Sequence, residues 1–255
     1  MKVTILGSGA AAGVPVVSRG WMNCDPDEPR NRRLRPSILV ESGDTRILVD
    51  TGPDLREQLL AANVRRLDAV LYTHAHADHI HGIDDLREVN RAMRAAIDVW
   101  ARRDVLDDLG RRFGYVFDVI DLEKVPLYKP LLTPRELTGP IRVGEVDVVP
   151  FDQDHGFSRT TGFRFGPIAY STDVVDLPED SFAAIEGVEI WIVGCLIDVP
   201  HETHAHVDKV IAWADRVKPK LTVLTHMSPR LDYQTLIRSL PPGIVPGYDG
   251  MVLEA

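Results

Sequence analysis

The segment His74-Ala75-His76-Ala77-Asp78-His79 places three imidazoles and a carboxylate within six residues, with His81 just beyond. These are ligand types suited to Zn, Mn or Fe, and with no thiolate beside them the cluster is not a structural zinc site. Three more candidates follow: His155, within Asp152-Gln153-Asp154-His155-Gly156, then Asp173, then His226. Seven ligands are too many for one tetrahedral ion and enough for two with one carboxylate bridging. Such a pair can hold a hydroxide and clamp both oxygens of a displacement. A histidine-rich tract can also be a flexible metal trap, but here it follows an apolar strand-like run rather than a low-complexity tail.

That run, Leu67 to Tyr72, is one of several that must position the ligands. A strand ending at Val149 leads to His155, Ile168 to Ser171 delivers Asp173, and Leu221 to Leu224 delivers His226. The same reading predicts strands over Lys2–Leu6, Ile97–Trp100, Thr161–Phe165 and Glu189–Val193, and an edge strand over Met251–Leu253. Hairpins are expected around Ser42-Gly43-Asp44-Thr45 and Gly144. Helices are expected over Asp54–Asn63, Arg87–Arg94, Asp104–Arg112, His206–Val217 and Asp232–Leu240. Residues 10–36 read as a long loop, and the Pro-rich stretch 118–140 has no definite assignment. Hairpins mixed with strand–helix alternation predict an α/β (α+β) fold of two mixed sheets face to face with helices outside. No composition break marks a linker, so residues 1–255 are expected to form a single domain, and its two strand-rich halves suit an internally duplicated sandwich.

Composition narrows the function. An apolar content of 44% and a charged content of 26% exclude disorder, and a net charge of −9 argues against a broad nucleic-acid-binding face. Cys24 and Cys195 are far apart and form no disulfide framework, so a reducing, cytoplasmic setting is expected. The apolar run at the N-terminus is too short for a signal peptide or a membrane span, and no membrane association is expected.

The segment His74 to His79 resembles the H-x-H-x-D-H signature of the metallo-β-lactamase superfamily, with His155, Asp173 and His226 falling in the family's order. The resemblance implies an αββα sandwich with the site at one edge. It also implies that His74, His76 and His155 hold one metal, that Asp78, His79 and His226 hold the other, and that Asp173 bridges. Two divalent ions, Zn or Mn with Fe as a further candidate, are the implied cofactors. Flavodiiron oxidoreductases of the superfamily carry Glu where this chain has Ala77, which favours hydrolysis over redox chemistry.

Within the superfamily, Gly7-Ser8-Gly9, Gly13-Val14-Pro15, Thr225-His226-Met227-Ser228 and Gly247-Tyr248-Asp249-Gly250-Met251 are similar to the phosphodiesterases that open phosphoribosyl 1,2-cyclic phosphate in the carbon–phosphorus lyase pathway of phosphonate metabolism. That similarity implies a small phosphorylated substrate attacked by a metal-bridging hydroxide. Asp78 would bind metal and orient the nucleophile, and His204 would act as general acid, its imidazole titrating near neutral pH. Members of that branch carry a structural zinc on three cysteines and a histidine; here the loop holds only Cys24, and Pro229 stands at the histidine position. The same loop carries Arg30, Arg32, Arg33 and Arg35, of which Arg33 and Arg35, together with His206, are expected to meet a substrate phosphate. A homodimer is the family-level expectation.

Other readings compete. Gly7-x-Gly9-x-x-x-Gly13 invites a dinucleotide-binding assignment but has the wrong spacing, and Pro15 follows where a helix would open. A lactonase or thioesterase would keep the metals and change the bond. A non-catalytic member of the kind found in pyrroloquinoline quinone synthesis would keep the fold alone. A tRNA-processing nuclease is disfavoured by the acidic charge.

Overall fold

The computed structural model describes residues 1–121, 124 and 126–255. Positions 122, 123 and 125 of the Pro-rich stretch lie outside the described residues. The strands are β1 (Lys2–Gly7), β2 (Ser37–Ser42), β3 (Thr45–Val49), β4 (Ala69–Leu71), β5 (Ile97–Ala101), β6 (Leu132–Glu136), β7 (Ile141–Val143), β8 (Val146–Asp154), β9 (Arg159–Phe165), β10 (Ile168–Ser171), β11 (Ile190–Gly194), β12 (Leu221–Thr225), β13 (Ile244–Pro246) and β14 (Val252–Glu254). The α-helices are α1 (Leu55–Ala61), α2 (Ala77–Ile80), α3 (Leu86–Met93), α4 (Arg103–Phe113), α5 (Glu179–Ala184), α6 (Val207–Val217) and α7 (Tyr233–Ser239).

Two seven-stranded sheets result, ordered β14-β1-β2-β3-β4-β5-β6 and β13-β12-β11-β10-β9-β8-β7. Each is mixed in the same way. Strands β1 to β3 pair antiparallel and β3 to β6 parallel; β7 to β10 pair antiparallel and β10 to β13 parallel. This matches the duplicated sandwich expected from the two halves. Strand β14 crosses back to pair with β1 as the predicted edge strand.

Burial on both faces of the central strands explains their continuous apolar runs. In β3, Ile47 and Val49 point between the sheets, where they join Val3, Ile5, Val148, Phe163, Ile168 and Ile192. Leu48 points outward to Leu55 and Leu59 of α1, Leu86 of α3 and Leu109 of α4. On the far face, Trp191 and Val193 of β11 meet Phe182 of α5, Trp213 of α6 and Leu236 of α7. Each fully buried side chain of this size contributes about 1.5–3 kcal/mol.

Strand β8 runs five residues past the predicted Val149 despite Pro150. Its pairing with β7 ends at Val148, so Pro150 has no ladder partner to lose on that side and keeps only β9. Elements not anticipated are β6, β13, α2 and α5. Among the described residues, no helix is long and apolar enough to cross a membrane.

Candidate metal centre

Strands β4, β8, β10 and β12 end on the same edge of the sandwich, and each is followed by ligand-type residues. After β4 the chain enters His74 and His76 and then the four-residue α2, which carries Asp78 and His79. His155 follows β8, His226 follows β12, and Asp173 stands two residues beyond β10. Both Asp173 and His226 have left-handed backbone, with φ of 49° and 54°. Non-glycine residues there are uncommon and cluster at functional positions.

These residues form two adjoining groups. His74, His76, His155 and Asp173 offer ligand atoms within 4.8 Å of one another, and so do Asp78, His79, Asp173 and His226. Asp173 belongs to both, and its two oxygens divide between them. Its Oδ2 lies 3.7 Å from Nε2 of His74 and 3.7 Å from Nε2 of His155. Its Oδ1 lies 3.3 Å from Nε2 of His79 and 3.1 Å from Nε2 of His226. Asp78 Oδ2 completes the second group, 3.2 Å from His79 Nε2 and 3.5 Å from His226 Nε2.

The donor set fits divalent metal. His74 Nε2, His79 Nε2, His226 Nε2 and Asp78 Oδ2 are buried without a hydrogen-bond partner, a costly arrangement unless a cation satisfies them. Asp50, Asp78 and Asp173 are all less than a tenth exposed, and the only ion pairs found for them among the described residues are to histidines. Against the penalty of burial, His226 and His79 hold Asp173 well below the usual carboxylate range, and His79 and His226 do the same for Asp78. Burial, aided by the neighbouring His79, keeps His74 well below its ordinary value and therefore neutral, as a ligand must be. His79 is pushed the other way by Asp173, Asp78 and Asp50 despite its burial, so positive charge is favoured where the second group converges.

Residues behind the ligands fix their orientation. Asp50, at the end of β3, accepts from the Thr73 amide and hydroxyl at 2.9 and 2.8 Å and lies 2.7 Å from His79 Nδ1. The Thr73 hydroxyl also lies 3.0 Å from His74 Nδ1, and the Thr203 carbonyl lies 2.7 Å from His155 Nδ1. In each case the outer nitrogen is engaged and Nε2 faces the centre, the usual support of a metal-binding imidazole. In the sequence reading Asp50 only closes the hairpin strand Arg46–Asp50 and carries no site role. Its signal there is a carboxylate closing an apolar strand beside the one that carries the histidines.

The centre opens into a cavity of about 700 Å³ lined by His76, Asp78, His155, Asp173, His204 and His226 on one side. His204 Nε2 lies 3.4 Å from Asp173 Oδ2, its Nδ1 lies 2.8 Å from the Thr203 hydroxyl, and its ring stacks on His226. It belongs to neither ligand group. His81 is exposed, with its ring edge against Phe113 and away from the centre.

Three residues expected at the substrate are elsewhere. Arg33 is 1% exposed, and its guanidinium donates to the carbonyls of Leu231 and Ser228 and to Asn31 Oδ1. It is a buried staple between two loops, and Cys24, the lone cysteine of that region, lies against it. Arg35 is engaged by Asp54. His206 precedes α6 with no side-chain cap bond and does not line the cavity; His201 does. The cavity's own arginines, Arg19 and Arg230, were not singled out by the sequence.

The family described as Beta-lactamase superfamily domain matches residues 45–227. A curated relative, an octanoyltransferase of Porphyromonas gingivalis, is 32% identical over 98% of this chain, which spans 51% of that protein. A ribonuclease Z of a Bradyrhizobium species is 47% identical over 54% of the chain and 46% of its own length. The chain thus covers about half the length of these relatives. Among solved structures, a diphosphatase of the PhnP family superposes with a TM-score of 0.88 at 33% identity, covering 99% of this chain and 96% of that one. With the two sheets, the converging histidines and a family match over most of its length, the chain belongs to the β-lactamase superfamily and has the metallo-β-lactamase fold.

Proposed function

We propose that the protein is a dinuclear metal-dependent phosphodiesterase that hydrolyses a small cyclic phosphate or nucleotide-like diester. The observation that carries this reading is the division of the two Asp173 oxygens between two histidine groups, with His204 beside them at the cavity floor. Similarity to a diphosphatase and to a ribonuclease Z supports a phosphorus–oxygen bond as the target.

His74, His76 and His155 would hold one ion, Asp78, His79 and His226 the other, and Asp173 both. Two divalent ions supply charge for the phosphoryl oxygens and lower the pKa of water. The chain does the rest. Asp50, Thr73 and the Thr203 carbonyl keep the imidazoles aimed, so no reorganisation is needed at the moment of reaction. Asp78 fixes the orientation of its group. His204, held at Nδ1 by the Thr203 hydroxyl, presents Nε2 to the cavity and protonates the departing ester oxygen there.

The test is to load the protein with Zn or Mn and assay bis(p-nitrophenyl) phosphate beside a lactone and a thioester. Diester turnover that falls about 100-fold or more in His204→Ala, with metal content retained, is expected. Full activity in that variant removes His204 from the mechanism, and turnover confined to the lactone or thioester overturns the phosphodiesterase reading.

A further inference from the structure

Beyond the metal floor, the cavity has a second wall, and nothing in the proposed hydrolysis uses it. Loop 10–36 contributes Val16, Arg19 and Met22, and the turn between β8 and β9 contributes Phe157. Phe157 is 90% exposed and Met22 43%. A large aromatic side chain left open beside a polar centre offers a face on which a flat ring such as a nucleobase can stack. The wall also carries positive charge in a protein of net charge −9. Of the two arginines lining the cavity, Arg230 is paired with Asp198. Arg19 is exposed, and among the described residues its guanidinium has neither a hydrogen-bond nor an ion-pair partner. Among the described residues, the cavity's only lining carboxylates are Asp78 and Asp173 of the centre. An unengaged guanidinium fork in an otherwise acid-free wall suits a phosphate, which it can grip through two parallel bonds.

Resting on the phosphodiesterase reading, we infer that Arg19 and Phe157 determine specificity. Arg19 binds a second phosphate group of the substrate, distinct from the one hydrolysed, and Phe157 stacks on its base. The substrate class is a nucleotide that carries both a diester and a separate phosphate. A cavity of about 700 Å³ accommodates a ligand of that size. Hydrolysis consumes one water: its hydroxyl stays on phosphorus, its proton ends on the released sugar oxygen, and the second phosphate is unchanged.

The experiment compares adenosine 2′,3′-cyclic phosphate with and without a 5′-phosphate, and with the base-free methyl riboside 2′,3′-cyclic phosphate, in the metal-loaded protein. The wild type is expected to prefer the 5′-phosphorylated compound at least tenfold in kcat/KM. In Arg19→Ala that ratio falls to near one, and Arg19→Lys restores part of it. In Phe157→Ala the ratio between base-bearing and base-free compounds falls at least fivefold. Both positions are exposed, so an unchanged melting temperature is expected and separates recognition from misfolding. Turnover of bis(p-nitrophenyl) phosphate with equal kcat/KM for the phosphorylated and unphosphorylated nucleotides overturns this inference and leaves the phosphodiesterase reading standing. No turnover of any diester fails that reading itself.

Discussion

Oδ2 of Asp50 lies 2.7 Å from Nδ1 of His79, in a spot where neither side chain meets solvent. The contact links β3 to the histidine-bearing segment after β4 and fixes which nitrogen of His79 faces the two ligand groups. Loss of such a partner costs about 10–100-fold in metal affinity. Asp50→Asn is therefore expected to bind Zn that much more weakly in a chelator competition while retaining the fold by circular dichroism. Unchanged affinity would mean that His79 is aimed by other contacts.

Gly52 supports the same segment through close approach. A Cβ built there would stand 2.2 Å from the carbonyl oxygen of Asp78, and Gly82 in turn abuts the Gly52 carbonyl. Gly52→Ala must push α2 outward. The expected result is a loss of about 1–3 kcal/mol in stability and, by elemental analysis, depletion of the Asp78–His79–His226 ion before the other. Full occupancy of both sites would show that α2 gives way freely.

Arg33 separates a structural role from a substrate role. Removing its guanidinium orphans the carbonyls of Ser228 and Leu231 just downstream of His226. Arg33→Leu is expected to cost about 2–4 kcal/mol in denaturant unfolding, with KM for diesters altered less than twofold. A raised KM at unchanged stability would return Arg33 to the substrate.

Asp249 gives the protein a pH signature. Its carboxylate accepts from the Ser8 amide, the Ser8 hydroxyl and the Leu34 amide, tying the C-terminal Gly-Tyr-Asp-Gly-Met to the first loop. Burial nevertheless pushes it up to about 6, against those three bonds. The folded protein thus holds this proton more tightly than the unfolded chain, whose carboxyl titrates near its ordinary 3.8. Stability from the proton is full below about pH 4 and is lost as pH rises through 6, a change of about 3 kcal/mol at most. In Asp249→Asn nothing titrates there. The stability of the wild type relative to that variant should therefore decline between pH 4 and 7 in urea titrations; a flat difference would refute the assignment.

The ligands were legible because each follows an apolar run long enough to read as a strand. Helix α2 was not, since four residues leave no period. Strand β6 was missed because it lies at the sheet edge, and its Thr133, Pro134, Arg135 and Glu136 show no apolar alternation. The arginines fared worst. Arg19, Arg30, Arg33 and Arg35 look alike in a loop, yet one is buried against carbonyls, two are held by carboxylates and one faces the cavity unengaged. What distinguishes them is tertiary burial and partnership, which local composition does not encode. Asp50 read as the end of a hairpin strand, because its partner lies in another element.

The convergence of β4, β8, β10 and β12 on one edge also bears on how the molecule assembles. His74, His76, Asp78 and His79 follow a strand of the first sheet, whereas His155, Asp173 and His226 follow strands of the second, so neither ligand group is complete before the sheets dock. On the two-metal reading, high affinity would be acquired late in folding, and bound ions would stabilise the completed sandwich by mass action. Metal uptake followed in time would then serve as a clock for sheet docking.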